Sequence, residues 1–432
     1  MRTTNSSNES RDFLKPLLLS HYTVTSCIGK GLQQTLDALL QQRQVLKPCD
    51  FETVDLPTFI GEVEGLDDVA MPAGMQEYDC RNNRLAKLGL EQDGFDQAVK
   101  AAISQYGADR IGIFLGTSTS GILETELAFR NRDKTTGKLP ESFIYGKTQN
   151  TYSVAYFTRD YFQLTGPAAV VSSACSSSAK VFSIARRMIE AGLIDAAIVG
   201  GVDTLCLTTL YGFNSLNLLS TQACRPYDKD RDGISIGEAA AFALVERAPD
   251  AGTSSPAQST SAADAILLLG IGESSDAYHM SSPHPEGLGA SMAMQQALKT
   301  AGLKPADIDY INLHGTATPS NDAAEAKAVR AVFEQENKHV PCSSSKGATG
   351  HTLGAAGAVE AIICALALQN DFIPGGQNTQ AIDTELHLNY QLQNRPQALQ
   401  RVMSNSFGFG GTNCSLIFGL ASATDAEKSD QP

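Results

Sequence analysis

Positive charge is in short supply. Lys and Arg number 33 against 47 Asp and Glu, leaving a net charge of −14. A chain this acidic would approach phosphates against its own field. That excludes a general nucleic-acid binder and leaves any acidic partner to dock on a local basic patch. Long apolar runs are also missing: Ala361–Leu368 is stopped by Gln369 and Asn370, far short of the roughly 18 residues a spanning helix needs. Met1–Pro16 is polar with mixed charge and lacks the pattern of a secretory leader. No CxxC pair occurs among the nine cysteines (Cys27, Cys49, Cys80, Cys175, Cys206, Cys224, Cys342, Cys364, Cys414). An odd, irregular set argues for free thiols in a reducing cytoplasm, and against a disulfide framework or a zinc site. There is no GxSxG nucleophile elbow and no Gly-Lys-Ser/Thr phosphate loop.

What is present is enough apolar material, 42% against 19% charged, to build a sizeable core over 432 residues. The length fits one large domain or two fused halves. Short β-branched runs alternate with helical patterns, the signature of a layered α/β protein. Strands are expected at Arg110–Leu115, Ala168–Ser173 and Asp195–Gly201 in the first half, and at Ile266–Ile271 and Ile308–Leu313 in the second. Val402–Ser406 and Asn413–Phe418 read as a closing strand pair. Helices are expected over Ser176–Ala191, Gly289–Ala301, Asp322–Glu334 and Gly354–Leu368. Asp250–Ala263, rich in Ser, Thr, Ala and Pro, reads as the loop between the halves, and Met1–Arg11 and Ser422–Pro432 as fraying ends.

Cys175 sits in SSACSSS between an apolar strand and an amphipathic helix. A thiol there feels the positive end of the helix dipole, which favours thiolate, although position alone also fits a buried structural cysteine. His314 ends INLHG where a strand opens into a Gly/Thr loop. His351 closes SKGATGH, whose glycines allow close approach of a ligand. Each could face a cleft or be satisfied by its own backbone. Glu325, three residues after Asp322 at a helix head, reads on spacing as half of a capping box. Gly408–Asn413 could be a hairpin connection or a phosphate-binding loop, with no helix after it to favour the latter.

In combination these segments resemble the decarboxylating β-ketoacyl-acyl-carrier-protein synthases of the thiolase superfamily. The matching stretches are SSACSSSAK around Cys175, RPYDKDRDGISIGEAAA from Arg225, SSDAYHMSSPHPEG from Ser274, LHGTATPSNDAAEA, SSSKGATGHTLGAAGAVEA and SNSFGFGGTN. They stand in the family's order from about Val24 to Gly419. The resemblance implies a thiolase-like α/β fold: two similar βαβαβαββ halves forming a layered α-β-α-β-α core. Residues 12–249 would carry the nucleophilic cysteine and 264–420 both histidines, with 1–11 and 421–432 flexible. It implies Cys175 as the acyl-accepting nucleophile, and His314 and His351 flanking the thioester of a malonyl carrier. Lys346 and Glu325 would support the hydrogen-bond network. Thr316 and Thr318 would contact the phosphopantetheine arm, Phe409 would gate the acyl chain, and the backbone N–H groups of Cys175 and Phe409 would bind the oxyanion.

The implied reaction is a decarboxylative Claisen condensation giving a 3-oxoacyl carrier, in fatty-acid or polyene/polyketide elongation. It needs no cofactor or metal beyond the arm of the acyl carrier protein. A homodimer is expected, or a heterodimer with a chain-length factor, with carrier docking near Arg81 and Arg84. An Asn in place of His351 would mark the branch primed by acetyl-CoA. A non-catalytic chain-length factor is the alternative, disfavoured by the intact Cys175, His314 and His351; a thiolase is a third. The opening HYTVTSCIG departs from the family's usual run. Segments 78–84 and 116–121 look more like ketosynthases of specialised polyene pathways, such as aryl polyenes.

Overall fold

The computed structural model describes residues 15–248, 262–334 and 339–422. Met1–Arg11, nearly all of Asp250–Ala263 and all of Ser422–Pro432 but its first residue lie outside them.

Five strands of the first half are Leu17–Ser26 (β1), Ile111–Gly116 (β2), Ala168–Val171 (β3), Ala196–Asp203 (β4) and Ala239–Arg247 (β5). Five of the second are Ile266–Ser275 (β6), Tyr310–Asn312 (β7), Cys342–Ser343 (β8), Arg401–Gly408 (β9) and Thr412–Leu420 (β10). The first set is ordered β3-β2-β4-β5-β1 and the second β8-β7-β9-β10-β6. Numbered within each half, the orders are identical. So are the directions: the first strands from the outer edge run parallel and the last two pairings are antiparallel. The repeat suggested by the alternation of elements is therefore real in topology, with no residue-level repeat behind it. The two sheets join where Leu17–Leu19 of β1 pairs with Ile266–Leu268 of β6.

Two helices fill the space between the sheets, Ser177–Glu190 (α1) and Ala356–Gln369 (α4). Both touch strands of both halves. Every residue of α4 from Ala356 to Leu368 is buried, as a helix apolar all round but for Glu360 requires. Val181, Phe182 and Ile189 of α1 share its core cluster. Outside the second sheet lie Leu288–Ala301 (α2) and Pro319–Phe333 (α3), and further helices cover the first. The layers are α-β-α-β-α. Strands β2 and β4 are buried along their whole length, so their runs are apolar without alternation, except for Asp203 at the end of β4.

The element ends differ from expectation by a few residues. Helix α3 begins at Pro319, three residues early, because proline at the first helical position loses no hydrogen bond. Strand β6 extends to Ser275, held by β10 across its last residues.

Candidate active site

Cys175 sits at the corner between β3 and α1, buried, with Ala174 before it in the left-handed region (φ 52). A non-glycine residue there is strained. The turn works only because α1 lies tight on the sheet: a Cβ on Gly116 would come within 2.3 Å of the Ser178 nitrogen. Burial pushes the Cys175 thiol up to about 11; Lys346 and the Phe409 N–H pull it the other way. This corrects the expectation of a favoured thiolate. Lost hydration outweighs the pull of Lys346 and the Phe409 N–H.

His314 follows β7, and its loop is held from α3. The Glu325 carboxylate accepts the backbone N–H of His314 and of Gly315, both at 2.8 Å, the Tyr227 hydroxyl at 3.0 Å and Asn405 Nδ2 at 3.2 Å. Asp322 accepts the N–H groups of Thr316 (3.0 Å) and Tyr227 (2.9 Å). The capping-box reading is therefore wrong. Thr318 occupies the N-cap, and both carboxylates turn back to latch the histidine loop. Burial raises Glu325 to about 7. Thr316 and Thr318 share a 2.9 Å hydrogen bond and line the cleft.

Lys346 is buried. Its Nζ donates to the His314 carbonyl at 2.6 Å and to His314 Nδ1 at 3.2 Å, and also meets the Glu360 carboxylate on α4. Burial raises Glu360 to about 7, with Lys346 offsetting part of that rise. His351 donates its backbone N–H to Ser235 at 2.7 Å, and its Nδ1 accepts the N–H of Leu353 at 3.2 Å. An ammonium and an amide N–H can only donate, so Nδ1 of each imidazole is the acceptor and the proton resides on Nε2. The rings stand 5.4 Å apart and nearly perpendicular. Burial first, and Lys346 second, hold both histidines well below their ordinary value, which keeps them neutral.

One ligand atom each of Cys175, His314 and His351 lies within 4.8 Å of the others, the one such group close enough to hold a metal ion among the described residues. All three line a cleft with about 590 Å³ of open space, together with Phe213, Phe407 and Phe409. The Phe213 and Phe409 rings meet at 5.5 Å. Gly408–Asn413 is the hairpin connection between β9 and β10, with Gly408 paired to Thr412, and not a phosphate loop. Gly410 and Gly411 take φ of 78° and 73°, so that the Phe409 N–H faces the thiol.

Sequence reasoning missed Glu360, Phe213 and Asp203. Glu360 had a signal: it is the single charge in the buried stretch from Ala356 to Leu368. Asp203 gathers N–H and O–H donors from Thr117, Ser118 and Thr119, and meets the Gly354 N–H next to the His351 turn. Nothing in its local sequence announced that. Of the expected basic docking pair, Arg81 is buried and Arg84 is partly exposed and ion-paired. Arg81 is buried on Glu238 (2.7 and 2.9 Å), Asp67 and Glu62, and Arg84 is clamped to Asp79 at 2.6 Å.

Residues 23–251 match the family model for the β-ketoacyl synthase N-terminal domain, and residues 266–380 that for the C-terminal domain. The chain belongs to the β-ketoacyl synthase family. It is 33% identical over 417 residues to 3-oxoacyl-[acyl-carrier-protein] synthase 2 of Vibrio cholerae, spanning 91% of this chain and 96% of that one. The synthase of the same name from Rhizobium meliloti is 37% identical over 317 residues, 71% and 73% of the two chains. Among solved structures, the ketosynthase ApeO in complex with its chain length factor ApeC from Xenorhabdus doucetiae superposes with a TM-score of 0.82. It is 37% identical and covers 94% of this chain and 98% of its own. A β-ketoacyl synthase from Burkholderia phymatum gives 0.80 at 27% identity, covering 94% and 100%. The expected thiolase-like fold and family stand. No helix among the described residues is long and apolar enough to cross a membrane.

Proposed function

We propose that this chain catalyses decarboxylative Claisen condensation between an acyl group held on Cys175 and malonyl-acyl-carrier protein. The carrying observation is the pair of imidazoles whose Nδ1 atoms are occupied by obligate donors, leaving two Nε2–H groups beside one thiol.

In the first half-reaction the Cys175 sulfur attacks the carrier-borne acyl thioester. The tetrahedral oxyanion takes the backbone N–H groups of Cys175 and Phe409, one such donor being worth about 10²–10³ in rate. Collapse expels the pantetheine thiolate, which takes up the proton lost by Cys175. In the second, a malonyl thioester enters with its arm along Thr316 and Thr318. The carboxylate leaves as CO₂, and its bonding pair becomes an enolate whose oxygen accepts Nε2–H of His314 and His351. Neutral imidazoles suit this: they donate without competing for the negative charge as bases. The enolate carbon attacks the acyl–Cys175 carbonyl, and collapse releases the 3-oxoacyl carrier and the cysteine thiolate. Lys346, Glu360 and Glu325 act as positioning residues, and Phe409 with Phe213 closes the acyl side.

In this reading residues 12–249 supply the nucleophile and 264–420 the decarboxylation machinery, and all substrates arrive on the phosphopantetheine arm of an acyl carrier protein. The nine free thiols support a reducing, cytoplasmic setting. The chain works as a dimer. The outer edge of β3 is an apolar, half-buried AAVV, and Phe129, Ile144, Tyr145 and Tyr152 stand exposed. The partner is a second copy or, as for ApeO, a chain-length factor; Cys175 assigns the chemistry to this chain. Light scattering alone and with a candidate partner decides between the two. Mass spectrometry of the acyl group trapped on Cys175 in cells identifies the pathway, aryl-polyene-type or fatty-acid. Purified protein, with or without partner, that makes neither CO₂ nor 3-oxoacyl product from malonyl carrier would refute the reading.

A further inference from the structure

The ring of His351 is held by a strained neighbour. Leu353 takes φ of 53° and donates its N–H to His351 Nδ1 at 3.2 Å. A leucine persists in the left-handed region only where its surroundings over-determine it. The main chain of His351 is fixed separately: its N–H reaches the Ser235 carbonyl at 2.7 Å, and its carbonyl accepts the Gly237 N–H at 3.0 Å. Those two bonds leave the side-chain torsions of the imidazole unconstrained. The Leu353 N–H is the contact that orients Nδ1.

Leu353 is in turn fixed through the next peptide. The Gly354 N–H donates to the carboxylate of Asp203, the last residue of β4. The two lie flush: a Cβ on Gly354 would come within 2.7 Å of Asp203 Oδ2 and 2.8 Å of the Ser118 nitrogen. Asp203 is itself immobilised. It is fully buried, and it accepts the hydroxyls of Thr117 at 2.7 Å and Thr119 at 2.8 Å, and that of Ser118. It also accepts the N–H groups of Ser118 at 2.8 Å and Thr119 at 2.9 Å. Backbone N–H groups can only donate, so the carboxyl serves as an acceptor on every side. Its role toward the loop after β2 is structural. Its bond to Gly354 is different, because both torsions of Leu353 lie between that peptide and the N–H on His351.

We infer that Asp203 is a positioning residue for His351: by pinning the Leu353–Gly354 peptide it keeps the Leu353 N–H on Nδ1 and the imidazole proton on Nε2. Loss of the anchor lets Leu353 relax out of the left-handed region and carries its N–H off the ring. The consequence for catalysis rests on the functional reading above, where that Nε2–H binds the enolate; the tautomer can be measured without it.

The experiment uses isotope-labelled histidine and long-range proton–nitrogen NMR to read the ring nitrogens of His351 and His314, each assigned by its loss in His351→Asn or His314→Asn. Both rings of the parent should show a bare Nδ1 and a protonated Nε2. In Asp203→Asn, His351 should become a mixture of tautomers, while His314, held from Lys346, stays unchanged. Gly354→Ala keeps the carboxylate but displaces the peptide; it should have the same effect and carries the test should Asp203→Asn not fold. Decarboxylation of malonyl carrier should fall about tenfold or more in either variant, while acylation of Cys175 changes only a few-fold. A single Nε2–H tautomer of His351 in a folded variant overturns the inference. So does equal mixing on both rings, the mark of general loosening. Failure of the functional reading looks different: the parent then releases no CO₂, while the response of His351 in the NMR spectrum stands.

Discussion

Lys346 Nζ lies 3.2 Å from His314 Nδ1 and 2.6 Å from the His314 carbonyl, so one buried ammonium fixes both the ring and the backbone of the same histidine. A lone buried ammonium would be costly; Glu360 compensates it from the fully buried helix behind. The cation thus sets the tautomer of His314 without being in the first rank of groups around the substrate. A proton on Nε2 of His314 is a consequence of where Lys346 sits.

Replacing Cys175 by Ala removes the acyl acceptor but leaves both Nε2–H donors. Acyl transfer should vanish, while release of labelled CO₂ from malonyl carrier persists at a measurable rate. Equal loss of both activities in a well-folded variant would contradict the division of labour.

The histidines should separate the half-reactions in the opposite sense. His314→Ala or His351→Ala is expected to lower decarboxylation by about 10²–10³, while acylation of Cys175, read by mass spectrometry, changes only a few-fold. Both imidazoles are held below their ordinary value of 6.5 by burial. Decarboxylation should therefore show no loss centred at that pH. Stability contributed by these neutral rings is present above 6.5 and is lost only as pH falls through their depressed folded values. An activity midpoint at 6.5 that disappears in His351→Asn would count against buried neutral rings.

Glu325 and Glu360 carry the reverse sign. Each is raised from 4.5 to about 7, chiefly by burial. Stability linked to their protonation is fully present below about 4.5 and is lost as pH rises through about 7. Glu325→Gln keeps one carbonyl acceptor and strands part of the donor set on His314, Gly315, Tyr227 and Asn405. A loss of roughly 1–3 kcal/mol is expected by denaturant unfolding near neutral pH, with a shallower decline toward alkaline pH than in the parent. An unchanged slope would remove Glu325 from that role.

The thiol itself gives a direct measurement. With Cys175 pushed up to about 11, its alkylation by iodoacetamide should keep rising with pH past 9, the ordinary cysteine value, instead of levelling off there. Peptide mapping distinguishes it from the other eight cysteines. A plateau near neutral pH would restore the helix-dipole expectation.

Much of this was legible in the chain. Continuous apolar runs such as RIGIFL and DAAIVGG announced strands buried on both faces, and the placement of Cys175, His314 and His351 at the ends of such elements put them near a common edge. Less visible was anything that depended on residues far apart in sequence. Glu325 looked like a cap because Asp322 is three residues away. Its true partners are a loop ten residues back and Tyr227 and Asn405, each 80 or more positions distant. Arg81 looked like a surface cation, and the distant Glu238, with Asp67 and Glu62, explains its burial. Phe213 meets Phe409 across nearly half the chain, and periodicity carries no trace of that contact.

The three-residue pairing of Leu17–Leu19 with Ile266–Leu268 bears on how the molecule is made. Until translation passes residue 268, one end of β1 has a bare edge, and bare edges recruit other strands. A nascent chain halted before that point should aggregate more readily than the finished protein. Sealing the seam late also means that the corner bearing the thiol takes its final shape only after the second sheet has arrived.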